Sequence, residues 1–265
     1  MISALLLAAP AARADTRLVL ASTTSTENTG LFKVLLPAYY NWTKLKGIRI
    51  DVVAVGTGKA IEIGRRGDAD ILLVHDREKE DAFIKDGFGV NRRNVMYNDF
   101  VVVGPVSDPA GIKSASGAAD AFRKMAAAKA LFVSRGDESG THAMEKRLWK
   151  AAGMDPVKLQ NYFSVGQGME ETLRIADEKG AYTLSDRATY RTTKDSLKFI
   201  TLLYEGDPGL FNQYGVMAVN PAKFPNVHYN EAMDFIGFVT GPAGQKAIGD
   251  FKDRHGNTLF IPDAD

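Results

Sequence analysis

Short apolar runs alternate with amphipathic stretches along nearly the whole of this chain, which restricts it to layered α/β architectures. Strands are expected at 17–21, 48–55, 70–74, 100–103, 131–134, 181–184, 199–203 and 216–219. Helices are expected at 29–46, 59–66, 78–86, 118–128, 140–152, 169–179, 230–239 and 243–251. The first helix carries Leu31, Val34, Leu35, Ala38, Trp42 and Leu45 at helical spacing. Pro37 is expected to kink it or to start a second helix there. Strand and helix in alternation argue for largely parallel sheets flanked by helices.

Two strand-to-helix loops are loaded with hydroxyls and glycines. The first is Ser22-Thr23-Thr24-Ser25-Thr26, and the second is Ser134-Arg135-Gly136-Asp137-Glu138-Ser139-Gly140-Thr141. A helix start has unpaired N–H groups and a positive dipole end, so it favours an anion. One N-cap needs one hydroxyl, and five in a row exceed that need. In the second loop Arg135 offers a planar fork of donors suited to an oxyanion. The competing reading pairs Arg135 with Asp137 or Glu138, a surface ion pair of small value. A third loop, Val55-Gly56-Thr57-Gly58-Lys59-Ala60, lacks the glycine spacing and Lys-Ser/Thr pair of a P-loop. Thr57 there reads as one more hydroxyl donor, and Lys59 as solvated. A fourth, Val165-Gly166-Gln167-Gly168-Met169-Glu170, reads equally as a plain turn before a helix.

The chain has 265 residues with Lys+Arg 33 against Asp+Glu 32. This near balance gives no bulk basic surface for nucleic acid or an anionic membrane. Residues 2–9 are apolar, and Ala12-Arg13-Ala14 follows as an A-x-A cleavage pattern. Residues 1–14 therefore read as a signal peptide, although no Lys or Arg precedes the apolar stretch. The chain has no cysteine, which rules out disulfides, thiolate metal sites, a cysteine nucleophile and a lipid-modified cysteine. A soluble periplasmic protein is the expectation. Segments 98–105 and 213–221 each read as an apolar strand closed by a proline turn, like matched crossovers. On that reading, 15–104 plus 213–265 form one lobe, and 105–212 form a second lobe inserted into it.

Catalytic constellations do not assemble. Asp137 replaces the first glycine of a G-x-S-x-G elbow around Ser139, and His142 follows on the same helix. His75, His142, His228 and His255 are scattered without metal-ligand spacing. Their default reading is surface or satisfied core. The expectation is a binding protein with no catalytic residue, no cofactor and no metal-cation site.

Six motifs in order carry a family resemblance. Ser22-Thr23-Thr24-Ser25-Thr26-Glu27-Asn28-Thr29-Gly30-Leu31 resembles the T-T-T-S-T-x-x-T-G-L opening of the tungstate-binding periplasmic proteins of the TupA type. Residues 55–60, 67–75, 134–142, 166–169 and 181–187 resemble that family as well. Ser22 departs from it, standing where threonine is more usual, but keeps a hydroxyl. The resemblance implies a type II periplasmic binding protein fold with two α/β lobes and a ligand cleft between them. It implies a solute-binding protein that captures tungstate as an oxyanion and delivers it to the permease of an ABC importer, working as a monomer. Thr23, Thr24, Ser25 and Thr57 would then line the cleft from one lobe. Arg135, Ser139 and Thr141 would line it from the other, with Arg135 the main charged contact. Residue types do not separate tungstate from molybdate. Phosphate and sulfate stay open as well, with Asp137 a candidate acceptor for a protonated phosphate.

Overall fold

Strand β1 (Thr16–Thr23) runs straight into a short helix, α1 (Thr24–Thr29), and Gly30 at φ +84° turns the chain into α2 (Leu31–Trp42). The computed structural model describes residues 16–264, so the expected signal segment lies outside the described residues. Two further strand–helix units follow: β2 (Ile48–Val55) with α3 (Thr57–Arg65), and β3 (Ile71–Val74) with α4 (Arg77–Lys85). A 17-residue strand, β4 (Gly89–Pro105), then carries the chain outward. Beyond it lie α5 (Ala118–Ala127), β5 (Phe132–Ser134), α6 (Gly140–Ala151) and β6 (Tyr162–Ser164). Next come α7 (Met169–Lys179), β7 (Thr183–Asp186), α8 (Arg187–Thr193) and β8 (Ile200–Tyr204). Strand β9 (Phe211–Val219) returns the chain, and α9 (Tyr229–Thr240), α10 (Pro242–Asp250) and β10 (Ile261–Pro262) complete it. Among the described residues, no helix is long and apolar enough to cross a membrane.

The first sheet has the order β10-β4-β9-β3-β1-β2. β1 lies parallel to β2 and β3, whereas β9, β4 and β10 add antiparallel neighbours. β4 pairs with β9 as far as Asp99, opposite Phe211. From Phe100 onward it pairs instead with β7 and β8. β5 pairs in parallel with β6 and bridges to Tyr182, just ahead of β7. The α/β class stands, but the expected parallel pairing is confined to β1–β3 and to β5 with its neighbours. β4 and β9 run opposite ways because one leads the chain out of the first sheet and the other leads it back.

Strand alternation places the cores. Leu18, Leu20, Ile71 and Leu73 pack under Leu35, Tyr39, Phe235 and Phe238 of α2 and α9. Ala21, Leu72 and Val74 face the other way, onto Ala60, Ile61 and Phe83 of α3 and α4. In the second half, Phe100 and Val102 meet Phe122 and Trp149 of α5 and α6, while Val101 and Val103 meet Met169 and Leu173 of α7. Each sheet is thus covered on both faces, and its loops are the part left for binding.

The expected helix at 29–46 is shorter at both ends, running from Leu31 to Trp42. It continues through Pro37, so no second helix starts there. A proline inside a helix costs about 3 kcal/mol, which burial of Leu31, Phe32, Leu35 and Tyr39 opposes.

Candidate functional site

Parallel strands deliver their loops to one edge of a sheet, and ligands of α/β proteins gather there. β1, β2 and β3 end at Thr23, Val55 and Val74. They release the hydroxyl loop, the Gly56–Gly58 turn and His75. β5 and β6 end at Ser134 and Ser164 and release the arginine loop and the Gly166–Gly168 turn. The two sets meet. A methyl placed on Gly56 would lie 3.4 Å from the Asp137 carbonyl oxygen, and one on Gly58 would lie 3.2 Å from that of Glu138. Helix α1 packs against α7 and α8. Lys79 Nζ of α4 donates to the Glu138 carbonyl at 3.4 Å, and Arg147 Nη1 of α6 lies 3.5 Å from Asp76 Oδ1.

The structure brings most of the expected site residues to this junction and seals them. Thr23, Ser25, Thr57, Arg135, Ser139 and Thr141 are each no more than 3% exposed. Thr24 is half-buried. The five-hydroxyl run divides its work. Ser22 Oγ donates to the Leu73 carbonyl at 2.7 Å and ties β1 to β3. Thr23 Oγ1 accepts the Thr26 N–H as the cap of α1 and lies 2.7 Å from Thr26 Oγ1. Ser25 Oγ lies 3.1 Å from Thr23 Oγ1 and 3.4 Å from His75 Nε2.

The arginine loop is tightly built. Gly136 adopts φ +60°, and a methyl there would collide with Ser164 Oγ at 1.7 Å. Gly166 N–H donates to the Arg135 carbonyl at 2.7 Å. Arg135 Nη2 donates to Asp137 Oδ2 at 2.5 Å, and Asp137 Oδ1 accepts the Ser139 N–H at 3.2 Å. The Arg135–Asp137 pair is therefore formed, but in buried surroundings and not at the surface. Each Asp137 oxygen accepts one bond within the loop and keeps a further lone pair. Ser139 caps α6 by accepting the His142 N–H at 3.2 Å.

Three of these residues hold polar atoms that are wholly buried and unmatched among the described residues: Thr57 Oγ1, Thr141 Oγ1 and Arg135 Nε. Such atoms cost about 1–3 kcal/mol each when nothing pairs with them, and native proteins leave few of them. Helices α3 and α7 also begin at Gly56 and Gly168 with no side-chain cap, so their first N–H groups are not met by a capping side chain. Buried hydroxyls, open helix starts and a guanidinium on loops that meet suit a small anion with several oxygens.

His75 takes the satisfied-core reading and not the surface one, and sequence reasoning gave neither it nor Asn212 a place at the site. His75 is buried against Tyr214, with ring centroids 4.7 Å apart, and its Nδ1 lies 3.0 Å from Asn212 Oδ1. Burial holds its pKa below the ordinary histidine value, against the opposing pull of Asp186. Its place after the buried run Ile71–Val74, at the binding edge of the sheet, was the available signal. Lys59 is exposed, as its solvated reading anticipates.

A family model described as PBP superfamily domain matches residues 8–243. The tungstate-binding protein TupA of Peptoclostridium acidaminophilum is 43% identical over 250 residues, covering 93% of this chain and 86% of that protein. The chain belongs to the TupA family. Solved structures agree. The tungstate ABC transporter structure from Geobacter sulfurreducens is 51% identical, covers 90% of this chain and 100% of its own, and superposes with a TM-score of 0.80. The tungstate-binding protein TupA from Desulfovibrio alaskensis G20 is 47% identical over 94% of this chain and 99% of its own, with a TM-score of 0.78. TupA-family membership thus spans both sheets and both loop sets described above.

Proposed function

We propose that this chain is an extracytoplasmic solute-binding protein that captures tungstate and hands it to the permease of an ABC importer. The observation that carries the reading is the set of buried, unmatched donors at Thr57, Arg135 and Thr141. The relatives named for tungstate support the choice of ligand. The two sheets form two lobes joined where β4 and β9 cross, and the anion sits between them. Thr23, Thr24, Ser25 and Thr57 contribute from one lobe. Arg135, Ser139 and Thr141 contribute from the other. The guest bridges both lobes, so it favours the closed form, and that difference in affinity drives closure. Residues 1–14 act as the export signal, and the mature protein works as a monomer in the periplasm.

Hydrogen bonds to a charged partner contribute about 1.5–3 kcal/mol each. Six to eight of them, roughly, suffice for the ~12 kcal/mol of a nanomolar complex after ordering and desolvation costs. Molybdate shares tungstate's charge and shape and is the second reading. Phosphate and sulfate are the remaining alternatives, and Asp137, with one bond on each oxygen, keeps lone pairs for a protonated phosphate. Calorimetry with tungstate, molybdate, sulfate and phosphate tests the proposal. Tight tungstate binding supports it. Tight sulfate or phosphate binding without tungstate binding rejects the named ligand, and silence with all four rejects the oxyanion class.

A further inference from the structure

Asn212 fixes the protonation of His75. Its Nδ2 donates to Asn98 Oδ1 at 2.7 Å and to the Tyr214 hydroxyl at 3.3 Å. This amide orientation places Oδ1 against His75 Nδ1 at 3.0 Å, where it can only accept. So Nδ1 carries the ring proton, and Nε2 is the bare nitrogen turned towards Ser25 Oγ at 3.4 Å. Ser25 Oγ has a second neighbour, Thr23 Oγ1 at 3.1 Å, which can donate to it, whereas a bare Nε2 can only accept; the Ser25 hydroxyl then points its proton at the histidine. That is the wrong way round for a residue meant to donate to an anion.

The charges at this junction sharpen the problem. Arg135 is neutralised by Asp137. Asp186, at the start of α8, is a buried carboxylate whose Oδ2 has no partner among the described residues. Asp186 and Asp76 both favour the charged imidazole, and Arg135 opposes it. The other groups packed on the ring are uncharged: Ser25 on α1, Tyr214 and Asn212 on β9, and Gly140 at the start of α6. A dianion arriving here meets a pocket with no unpaired positive side chain among these groups. A cavity of about 630 Å³ lined by His75 itself, with Asp76, Phe100, Met144, Arg147 and Asn212, offers a proton a route to the ring.

We infer that His75 takes up one proton from solvent as a dianion binds, and that this turns the Ser25 hydroxyl from the histidine to the anion. The proton lands on Nε2. The new Nε2–H donates to Ser25 Oγ, and the Ser25 proton, released from the nitrogen, donates to an anion oxygen. The imidazolium supplies the positive charge that Asp137 withholds from Arg135. His75 is thus a positioning residue that acts through Ser25. The inference rests on the oxyanion reading above and adds to it a proton requirement.

The test is calorimetric titration of tungstate at about pH 6.5, the ordinary histidine value, where a ring held below that value by burial starts out neutral, in Mes, Pipes and imidazole, buffers of different ionisation enthalpy. The apparent enthalpy should vary linearly with buffer ionisation enthalpy, in the sense of net proton uptake. His75→Gln should bind with that slope abolished. Asn212→Asp should also reduce it, because a carboxylate at Nδ1 charges the ring before the anion arrives. Nitrogen NMR of labelled histidine in the unmutated protein reads the same change directly, from the Nδ1–H tautomer to imidazolium on adding tungstate. Tight binding with zero slope, or an unchanged slope in His75→Gln, overturns this inference alone. Silence with every oxyanion overturns the transport reading and takes this inference with it.

Discussion

Arg135 Nη2 and Asp137 Oδ2 lie 2.5 Å apart within one loop, and this pair aims the guanidinium while leaving its Nε unmatched. A donor held in place by its own loop loses little freedom when a guest arrives. Arg135→Ala is expected to weaken tungstate binding at least about tenfold, the loss of one charge-assisted hydrogen bond or more. Calorimetry measures the affinity, and circular dichroism should show an unchanged fold. An affinity within twofold of the parent would mean that Arg135 is structural.

Thr57→Val separates binding from stability. The substitution keeps the shape of a side chain that is fully buried with no partner for its hydroxyl. Removing an unmatched polar atom is neutral or stabilising. The ligand-free protein should therefore melt at the same temperature or higher, while tungstate affinity falls by about tenfold. A drop in melting temperature would show that the hydroxyl serves the fold.

Gly140 holds α6 against His75. A methyl there would sit 2.9 Å from His75 Cε1 and 3.0 Å from the His75 carbonyl oxygen, and the carbonyl is backbone that cannot swing aside. Overpacking of this kind costs about 1–3 kcal/mol. Gly140→Ala is expected to push the two loop sets apart and weaken tungstate binding by roughly tenfold or more. Calorimetry checks it, and unchanged affinity would show that the contact yields freely.

Stability should fall as pH rises through neutrality. Burial raises Glu145 to about 7, although Tyr162 donates to its Oε1 at 2.7 Å. In the unfolded chain the same group titrates near its ordinary value. Between the two pKa values, the folded state holds a proton that the unfolded state has lost. Folding stability therefore declines across that window, by about 1–3 kcal/mol. Glu80, also raised to about 7 by burial, adds a slope of the same sign. Urea melts from about pH 5 to 8 should show the decline, and Glu145→Gln should flatten part of it. A slope identical to the parent's would place the titration elsewhere.

How far the sequence could be read depends on the signal each segment carries. Helix α7 is legible end to end, because Met169, Leu173 and Ala176 recur at helical spacing and Gly180 closes it in the left-handed region. Helices α1 and α8 are not, because Thr24–Thr29 and Arg187–Thr193 lack an apolar stripe and depend on side-chain caps from Thr23 and Asp186. The first part of β4, from Gly89 to Asp99, hides behind Asn91, Arg92, Arg93 and Asn94, which face partly outward. The site was readable where its chemistry is local, as in the hydroxyl run and the arginine loop. It was unreadable at His75 and Asn212, which are 137 positions apart in the chain and meet only after β3 and β9 pair.

β4 belongs to both sheets along one unbroken backbone. Halves that share a strand have no independent folding unit to retreat to, because melting either one strips partners from the other. Heating should therefore give one calorimetric transition for the entire chain. A guest that contacts only the junction would then protect distant helices such as α5 and α10 as much as the loops that hold it.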